Sequence, residues 1–279
     1  MAKDDEMPPE EQKKRQPGEQ KRYTDILTEQ IEHGLGEIQR PAGGLLSSGF
    51  SAGLDIGLGV LVMAVLLTLT SGELPEPIVE MLVASAYALG FIFVILGRSE
   101  LFTEHTTLAA FPVLAGRASL GALGRLWGLV YVANLVGAAF TALLVVIVGT
   151  ELGVAEGPAF GRLATGLVET RWWVMLLSAL LAGWLMGLLS WLVAAAEDSI
   201  SRIVIVWLVT GAIGLAHLHH CIIGTVEVVS GIIATGEVTV GQFGRFLLLS
   251  SLGNATGGAV FVAAVKFRHS TRPAPERTN

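Results

Sequence analysis

Gly214-Leu-Ala-His-Leu-His-His-Cys-Ile-Ile-Gly224 sets three of the chain's six histidines, His217, His219 and His220, within four positions. The flanks are apolar: IVIVWLVTGAIG over 203–214 and IIGTVEVVSGIIA over 222–234. Imidazoles at the centre of so apolar a run demand a polar environment at membrane depth. Ionisable groups there are costly, about 2.5–3.5 kcal/mol for a charge on insertion scales, and are functional candidates by default. Non-helical backbone at that depth survives only where it packs inside protein or lines a cavity. The run 200–235 is also too long for one straight crossing, so 214–220 reads as a break in a membrane span.

Outward from this stretch the chain is of one kind. It is 52% hydrophobic and 15% charged, with a mean hydropathy of +0.63, where soluble domains carry about 25% charge. Charges gather before residue 40 and thin out after Gly43. Six apolar segments qualify as spans: 44–70, 78–115, 119–149, 172–196, 200–235 and 240–267. The second, like the fifth, is overlong and interrupted by polar residues, here GRSELFTEH over 97–105. Residues 1–22 are polar, hold no apolar h-region, and read as a disordered cytoplasmic tail and not a signal peptide. Residues 23–40 place Ile26, Leu27, Ile31, Leu35 and Ile38 at helical spacing. They predict an amphipathic helix against the membrane or the cytoplasmic side of the protein. The transport domain spans 43–267, and 268–279 form a second cytoplasmic tail. Lys and Arg lie in the N-terminal segment up to Arg40, at Arg117, Arg125 and Arg202 and from Lys266 onward, with Arg98 and Arg245 within or near spans, whereas the large outer loop TELGVAEGPAFGRLATGLVET carries only Arg162 and Arg171. That distribution places both termini inside.

Span three holds Asn134 and Gly137, and span six holds Asn254 and Gly257, each as Asn-x-x-Gly. Spans two and five are both broken. Three spans followed by three equivalents must run in opposite directions, which makes a 3+3 inverted repeat. The fold class is therefore an all-α integral membrane protein of six helices. Its two breaks face each other near the midplane, with half-helix N-termini aimed at the pathway between them.

His220 is the histidine best suited to bind a small anion there or to shuttle its proton, because a neutral imidazole offers one donor and one acceptor. Competing readings stand beside this one. His217 and His219 can merely satisfy local contacts. His217 and His220 are three apart and, with Glu100, Glu104 and His105, can be imagined around zinc, but the spacing matches no zinc motif, so no metal is expected. Cys221 is a packing thiol, with no group to orient it as a nucleophile. Glu227 shares a stripe with His220, Gly224 and Gly231. It serves as a structural hydrogen-bonding group to a neighbouring span or subunit, or as a proton relay. Arg98 and Glu100 flank the first break and can pair with each other or with freed backbone groups, and Asp55 is expected to be hydrogen-bonded inside the bundle. No cofactor motif, catalytic constellation or nucleic-acid-binding patch appears. The expectation is a non-enzyme without cofactor, in contact with membrane lipids.

These residues resemble the formate/nitrite transporter family. Gly97-Arg-Ser-Glu-Leu-Phe-Thr103 resembles that family's G-x-x-[ED]-L-F-T loop, spans three and six resemble its N-x-x-G helices, and His220-Cys-Ile-Ile-Gly resembles its His-Ser-Val-Ala-Asn run. The resemblance covers residues 43–267. It implies an aquaporin-like fold, a homopentamer with one pore per subunit, and small monovalent anions or weak acids such as formate, nitrite or hydrosulfide. It makes His220 the central pore histidine and Thr103 its hydroxyl partner, and puts Leu101 and Phe102 in the apolar constrictions. Phe91, Tyr87 and Ile213 follow as pore-lining residues by looser alignment. Three departures stand out: His219 occupies the place of a common glutamate, Gly183 that of an asparagine, and Glu104-His105 that of small polar residues. The triple histidine and HCIIGTVE most resemble the family's divergent YfdC-like branch. A pore for neutral small solutes is the alternative function. A non-transporting sensor that uses the charged N-terminal tail is a third.

Overall fold

The structure, a computed structural model, describes residues 21–271, and its regular elements are helices. Most of the two expected tails lies outside these residues. The first helix, α1 (Tyr23–Gln39), buries Ile26, Leu27, Gln30, Gly34 and Ile38 at spacings of three and four. Its buried stripe faces protein, against α4 (Phe102–Leu108), α5 (Ala110–Leu114) and α8 (Trp172–Ala195). Pro41 ends it: the residue before a proline is pushed out of the helical region, and Arg40 is extended at ψ 144.

The long helices are α2 (Ala42–Thr70), α3 (Glu76–Gly97), α6 (Leu120–Glu151), α8 and α11 (Val240–Thr256). The last continues through a π-helical stretch, Gly257–Ala264, into α12 (Val265–Thr271). Among the described residues, α2, α3, α6, α8 and the run Val240–Ser270 are long and apolar enough to cross a membrane. By contrast, α9 (Ser199–Leu215) and α10 (Ile223–Ala234) have 17 and 12 residues. At 1.5 Å per residue they reach about 26 and 18 Å, so neither spans ~30 Å of hydrocarbon alone. Tyr23 of α1 meets His269 of α12 edge-on at 5.0 Å, so the two ends of the described chain share one side, called here the N-terminal side.

Two helix pairs form the walls. Along α2, Gly49, Gly53 and Gly57 fall one turn apart and face Ala133, Asn134, Gly137 and Thr141 of α6. A Cβ on Gly53 would lie 2.7 Å from the Ala138 nitrogen, so only glycine permits this approach. The pairing of α8 with α11 repeats the arrangement, with Gly183 and Gly187 against Asn254, Gly257 and Val262.

The stretch expected as a large outer loop contains a helix, α7 (Gly157–Val168), and this corrects the loop reading. Pro158 opens it, where a missing N–H costs nothing. Ala159, Phe160, Ala164, Leu167 and Val168 then bury against α10. The helix has only 12 residues and polar ones fill its other face, so the stretch holds no apolar run long enough to read as a span.

Between α3 and α4 the residues Arg98–Leu101 leave the helix, and so do residues 216–222 between α9 and α10. Arg98 at φ 56 and His217 at φ 48 are the two non-glycine residues with positive φ among those described. Each reverses the chain just where a helix stops.

Candidate functional site

Two asparagines hold the interruptions in place. Asn134 on α6 accepts from the Phe102 N–H at 2.8 Å, and its amide nitrogen donates to the carbonyls of Gly49 and Glu100, both at 2.8 Å. Asn254 on α11 accepts from the Cys221 N–H at 2.8 Å and donates to the carbonyls of Ala179 at 2.7 Å and His219 at 3.0 Å. Each side chain is fully buried. Each spends its two donors and one acceptor on a long helix and on two backbone groups two residues apart in the break. Freed backbone buried inside the helical bundle is thereby satisfied, as it must be.

This brings Thr103 and His220 together. Thr103, in the first turn of α4, places Oγ1 2.8 Å from His220 Nε2, and both residues are buried. The carbonyl of His220 accepts from the Gly224 N–H at the head of α10, so the N-terminal ends of α4 and α10 meet at this contact. His220 Nδ1 accepts from the Ile222 N–H at 3.3 Å. That assigns the proton of a neutral ring to Nε2, which then donates to Thr103 and leaves the threonine hydroxyl free to donate elsewhere. Phe91 packs edge-on to the His220 ring at 5.2 Å, and Tyr87 packs on Phe91 at 5.3 Å.

Cavities open on either side. One, of about 190 Å³, lies away from α1 and has Tyr87, Ile213, His217, Glu227 and His220 in its wall. The other, of about 650 Å³, lies on the N-terminal side and is lined by Arg40, Arg98, Glu100, Glu104 and His105 among others. Thr103 thus points α4 at His220, while the residues that follow it turn to the N-terminal-side cavity.

The remaining predicted residues separate into groups. Glu100 does not pair with Arg98, contrary to one expectation. Its carboxylate is held by Arg40 Nη1 at 2.5 Å and by His105 Nε2. Arg40 also donates to Glu37 at 2.7 Å. The guanidinium is held above its ordinary value, first by that bond to Glu37, with partial burial opposing and the charge of Glu100 adding. Arg40 lies 60 positions from Glu100, and no sequence signal linked them. Asp55 accepts from Ser99 Oγ at 3.0 Å and Ser51 Oγ at 3.4 Å, as an internal carboxylate should.

Leu101 is fully buried, while Phe102 turns to α6, edge-on to Tyr131 at 4.8 Å and Trp127 at 6.1 Å. His219 faces neither cavity. Its Nε2 lies 3.0 Å from the Leu167 carbonyl and its Nδ1 2.9 Å from Ser178 Oγ. The carbonyl can only accept, so Nε2 donates and Nδ1 accepts the serine proton, while Ser178 in turn accepts the His219 N–H at 3.1 Å. His217 stands exposed at the outer cavity's mouth, 3.3 Å from Glu80. Glu227 makes no hydrogen bond or ion pair to any described residue. Cys221 is a buried free thiol. No three His, Cys, Asp or Glu side chains are grouped to share a metal among the described residues.

The family model for formate/nitrite transporters matches residues 24–268. The chain is 30% identical to the uncharacterized transporter YrhG of Bacillus subtilis (strain 168), over 87% of this chain and 91% of that protein. It is 30% identical to the inner membrane protein YfdC of Escherichia coli (strain K12), over 83% and 74%. To the nitrite transporter NirC of the same organism it is 31% identical, over 80% and 81%. Among solved structures, one described as an FNT family ion channel superposes with a TM-score of 0.79 at 22% identity, covering 90% of this chain and all of that one. A pentameric formate channel with formate bound superposes with a TM-score of 0.70 at 21% identity, covering 83% and 98%. A shared fold, a relationship along almost the whole length and apolar helices that cross a membrane lead to one assignment: the chain belongs to the formate/nitrite transporter family.

Proposed function

We propose that the protein is a homopentameric inner-membrane channel or transporter for small monovalent weak-acid anions of the formate, nitrite or hydrosulfide class, with one pore per protomer. The observation that carries this reading is the Thr103–His220 contact, buried where two half-helices meet between two cavities. A bare anion pays heavily to enter an apolar constriction, whereas its conjugate acid does not. A histidine and a hydroxyl at that point supply donors to the anion and a route for a proton. Tyr87 and Ile213 line the approach on the outer side, Phe91 backs the His220 ring, and Leu101 and Phe102 support the constriction at the first break.

The matching roles of Asn134 and Asn254 support an aquaporin-like 3+3 inverted repeat of six spans. Its second span is made of α3 and α4 and its fifth of α9 and α10. The placement of Lys and Arg supports an orientation with both termini in the cytoplasm. The N-terminal-side cavity is then cytoplasmic and the smaller one opens outside.

The test is flux into proteoliposomes under gradients of formate, nitrite and hydrosulfide between pH 5 and 8. Wild-type protein should conduct at least one of them with a clear pH dependence, and His220→Ala should reduce that flux at least tenfold. Equal flux in the two proteins would overturn the reading. The alternative, a pore for neutral solutes, predicts flux that follows the concentration of undissociated acid alone and is unchanged by His220→Ala.

A further inference from the structure

The outer cavity holds more chemistry than a passage needs. Glu227 stands on α10 two turns beyond His220. It is 6% exposed, faces the cavity, and lacks any hydrogen bond or ion pair to a described residue. Buried carboxyl groups are ordinarily paired. Asp55 accepts from two serines and Glu100 is held by Arg40 and His105, so Glu227 differs from these two internal carboxylates. Tyr87 is another residue of the cavity wall, and its hydroxyl is also buried without a partner. Two residues with unspent polar groups therefore stand in the wall of one space of about 190 Å³, a wall that also includes Met63, Leu67, Val83, Ile213 and His220. That space fits a solute of a few atoms, since one water occupies about 30 Å³ in the liquid.

The charges around it argue about what the solute is. Six titratable side chains reach the cavity wall: Glu80 and Tyr87 from α3, Arg162 from α7, His217 and His220 from the second break, and Glu227 itself. Cys221 lies buried behind the break, and α2, α6 and α11 contribute no charged group to the wall. Arg162 is already engaged by both Glu76 and Glu80, the latter at 2.7 Å. The cavity thus lacks a spare fixed cation to neutralise an anion. What it offers is a carboxyl group, which can neutralise one by giving it a proton.

We propose that the outer cavity is a binding subsite for a small weak acid, in which Tyr87 and Glu227 hold the solute and Glu227 exchanges a proton with it before it reaches His220. This rests on the anion-transport reading above and names the outer proton-exchanging group of that same path. In the inward direction the O–H bond of the Glu227 carboxyl breaks and its electron pair stays on Glu227. A new bond to hydrogen forms on the anionic oxygen or sulfur of the solute. The carboxylate then regains a proton from water at the mouth. In the outward direction the same steps reverse.

The experiment uses full-length protein in proteoliposomes with formate as the probe, read as flux from pH 5 to 8. Glu227→Gln keeps size and a donor but has no acidic proton. It should lower formate flux at least tenfold and flatten the pH profile, while Glu227→Asp restores part of both. Tyr87→Phe should raise the half-saturating formate concentration severalfold and leave the pH profile in place. Wild-type flux and profile in Glu227→Gln overturn the proposal. So does a loss in Glu227→Gln that leaves the profile shape intact and is not relieved by Glu227→Asp, because that is the signature of a packing role. Absence of formate, nitrite and hydrosulfide flux in the wild type overturns the anion-transport reading, and this subsite with it. That result is distinct from normal wild-type flux with an indifferent Glu227.

Discussion

Arg98 turns the chain out of α3 at φ 56, and His217 does the same after α9 at φ 48. Asn134 then takes the N–H of Phe102 and the carbonyl of Glu100, and Asn254 takes the N–H of Cys221 and the carbonyl of His219. In backbone terms the two interruptions are nearly the same object. Their side chains are not. The first break carries a carboxylate, Glu100, which is held by the Arg40 guanidinium and the His105 ring. The second carries His219 in the corresponding place, and a serine hydroxyl and a carbonyl suffice for it. The comparison separates two tasks. An amide with two donors and one acceptor closes the interruption between two buried helices whatever the side chains there are. The side chains then decide which neighbours each break is tied to: the α1–α2 junction for the first, α7 and α8 for the second.

The largest effect should come from the asparagines. Asn134→Ala and Asn254→Ala each leave one buried N–H and two carbonyls short of a partner. An unsatisfied buried group costs about 1–3 kcal/mol, so each variant should lose several kcal/mol and fail to yield folded oligomer in detergent. Thermal unfolding and size-exclusion profiles of the two, side by side, measure this. If one tolerates alanine and the other does not, the breaks are not equivalent scaffolds.

Arg40→Gln sharpens the difference in side chains, because only the first break depends on a charge from outside the span. The Arg40 side chain is 35% exposed, so after solvent screening its loss should destabilise by no more than about 1 kcal/mol. Its folded-state value is raised, so its contribution is complete below the ordinary guanidinium value and fades only as pH rises through the still higher folded one. The gap in melting temperature between wild type and Arg40→Gln should therefore stay constant from pH 6 to 9. A gap that closes within that window would show that another group carries the interaction.

The smallest effect belongs to the two left-handed residues. A side chain in this region costs roughly 1–2 kcal/mol, and glycine gives back part of that through its freer unfolded state. Arg98→Gly and His217→Gly should each raise the melting temperature slightly. A fall at one site would mean that its side chain holds its break, beyond merely tolerating the turn.

Much of this was legible in the chain. The membrane helices show as hydropathy, α1 as a 3.6-residue stripe, and the interruptions as polar residues inside overlong apolar runs. The Asn-x-x-Gly spacing showed that spans three and six were alike. It did not show that the asparagines bridge the breaks, because that depends on which helix lies beside which. The helix α7 read as a loop for the same reason, since α10 supplies what it buries against. The candidate site was partly visible. His220 and Thr103 were singled out, but the sequence left Glu227 between a structural and a relay role, and it held no sign that Arg40 reaches Glu100.

By itself the sequence determined an all-helical membrane protein with two polar interruptions, because hydropathy and helical period are properties of neighbouring residues. Only the tertiary structure decided that Thr103 meets His220 across 117 positions, that His219 is fully used by Ser178 and Leu167, and that Glu227 is left facing a cavity without a partner. A hydrogen bond needs two groups within about 3 Å in the right orientation. In a bundle of long helices that distance is fixed by the glycine-lined approach of α2 to α6 and of α8 to α11, which no local pattern states.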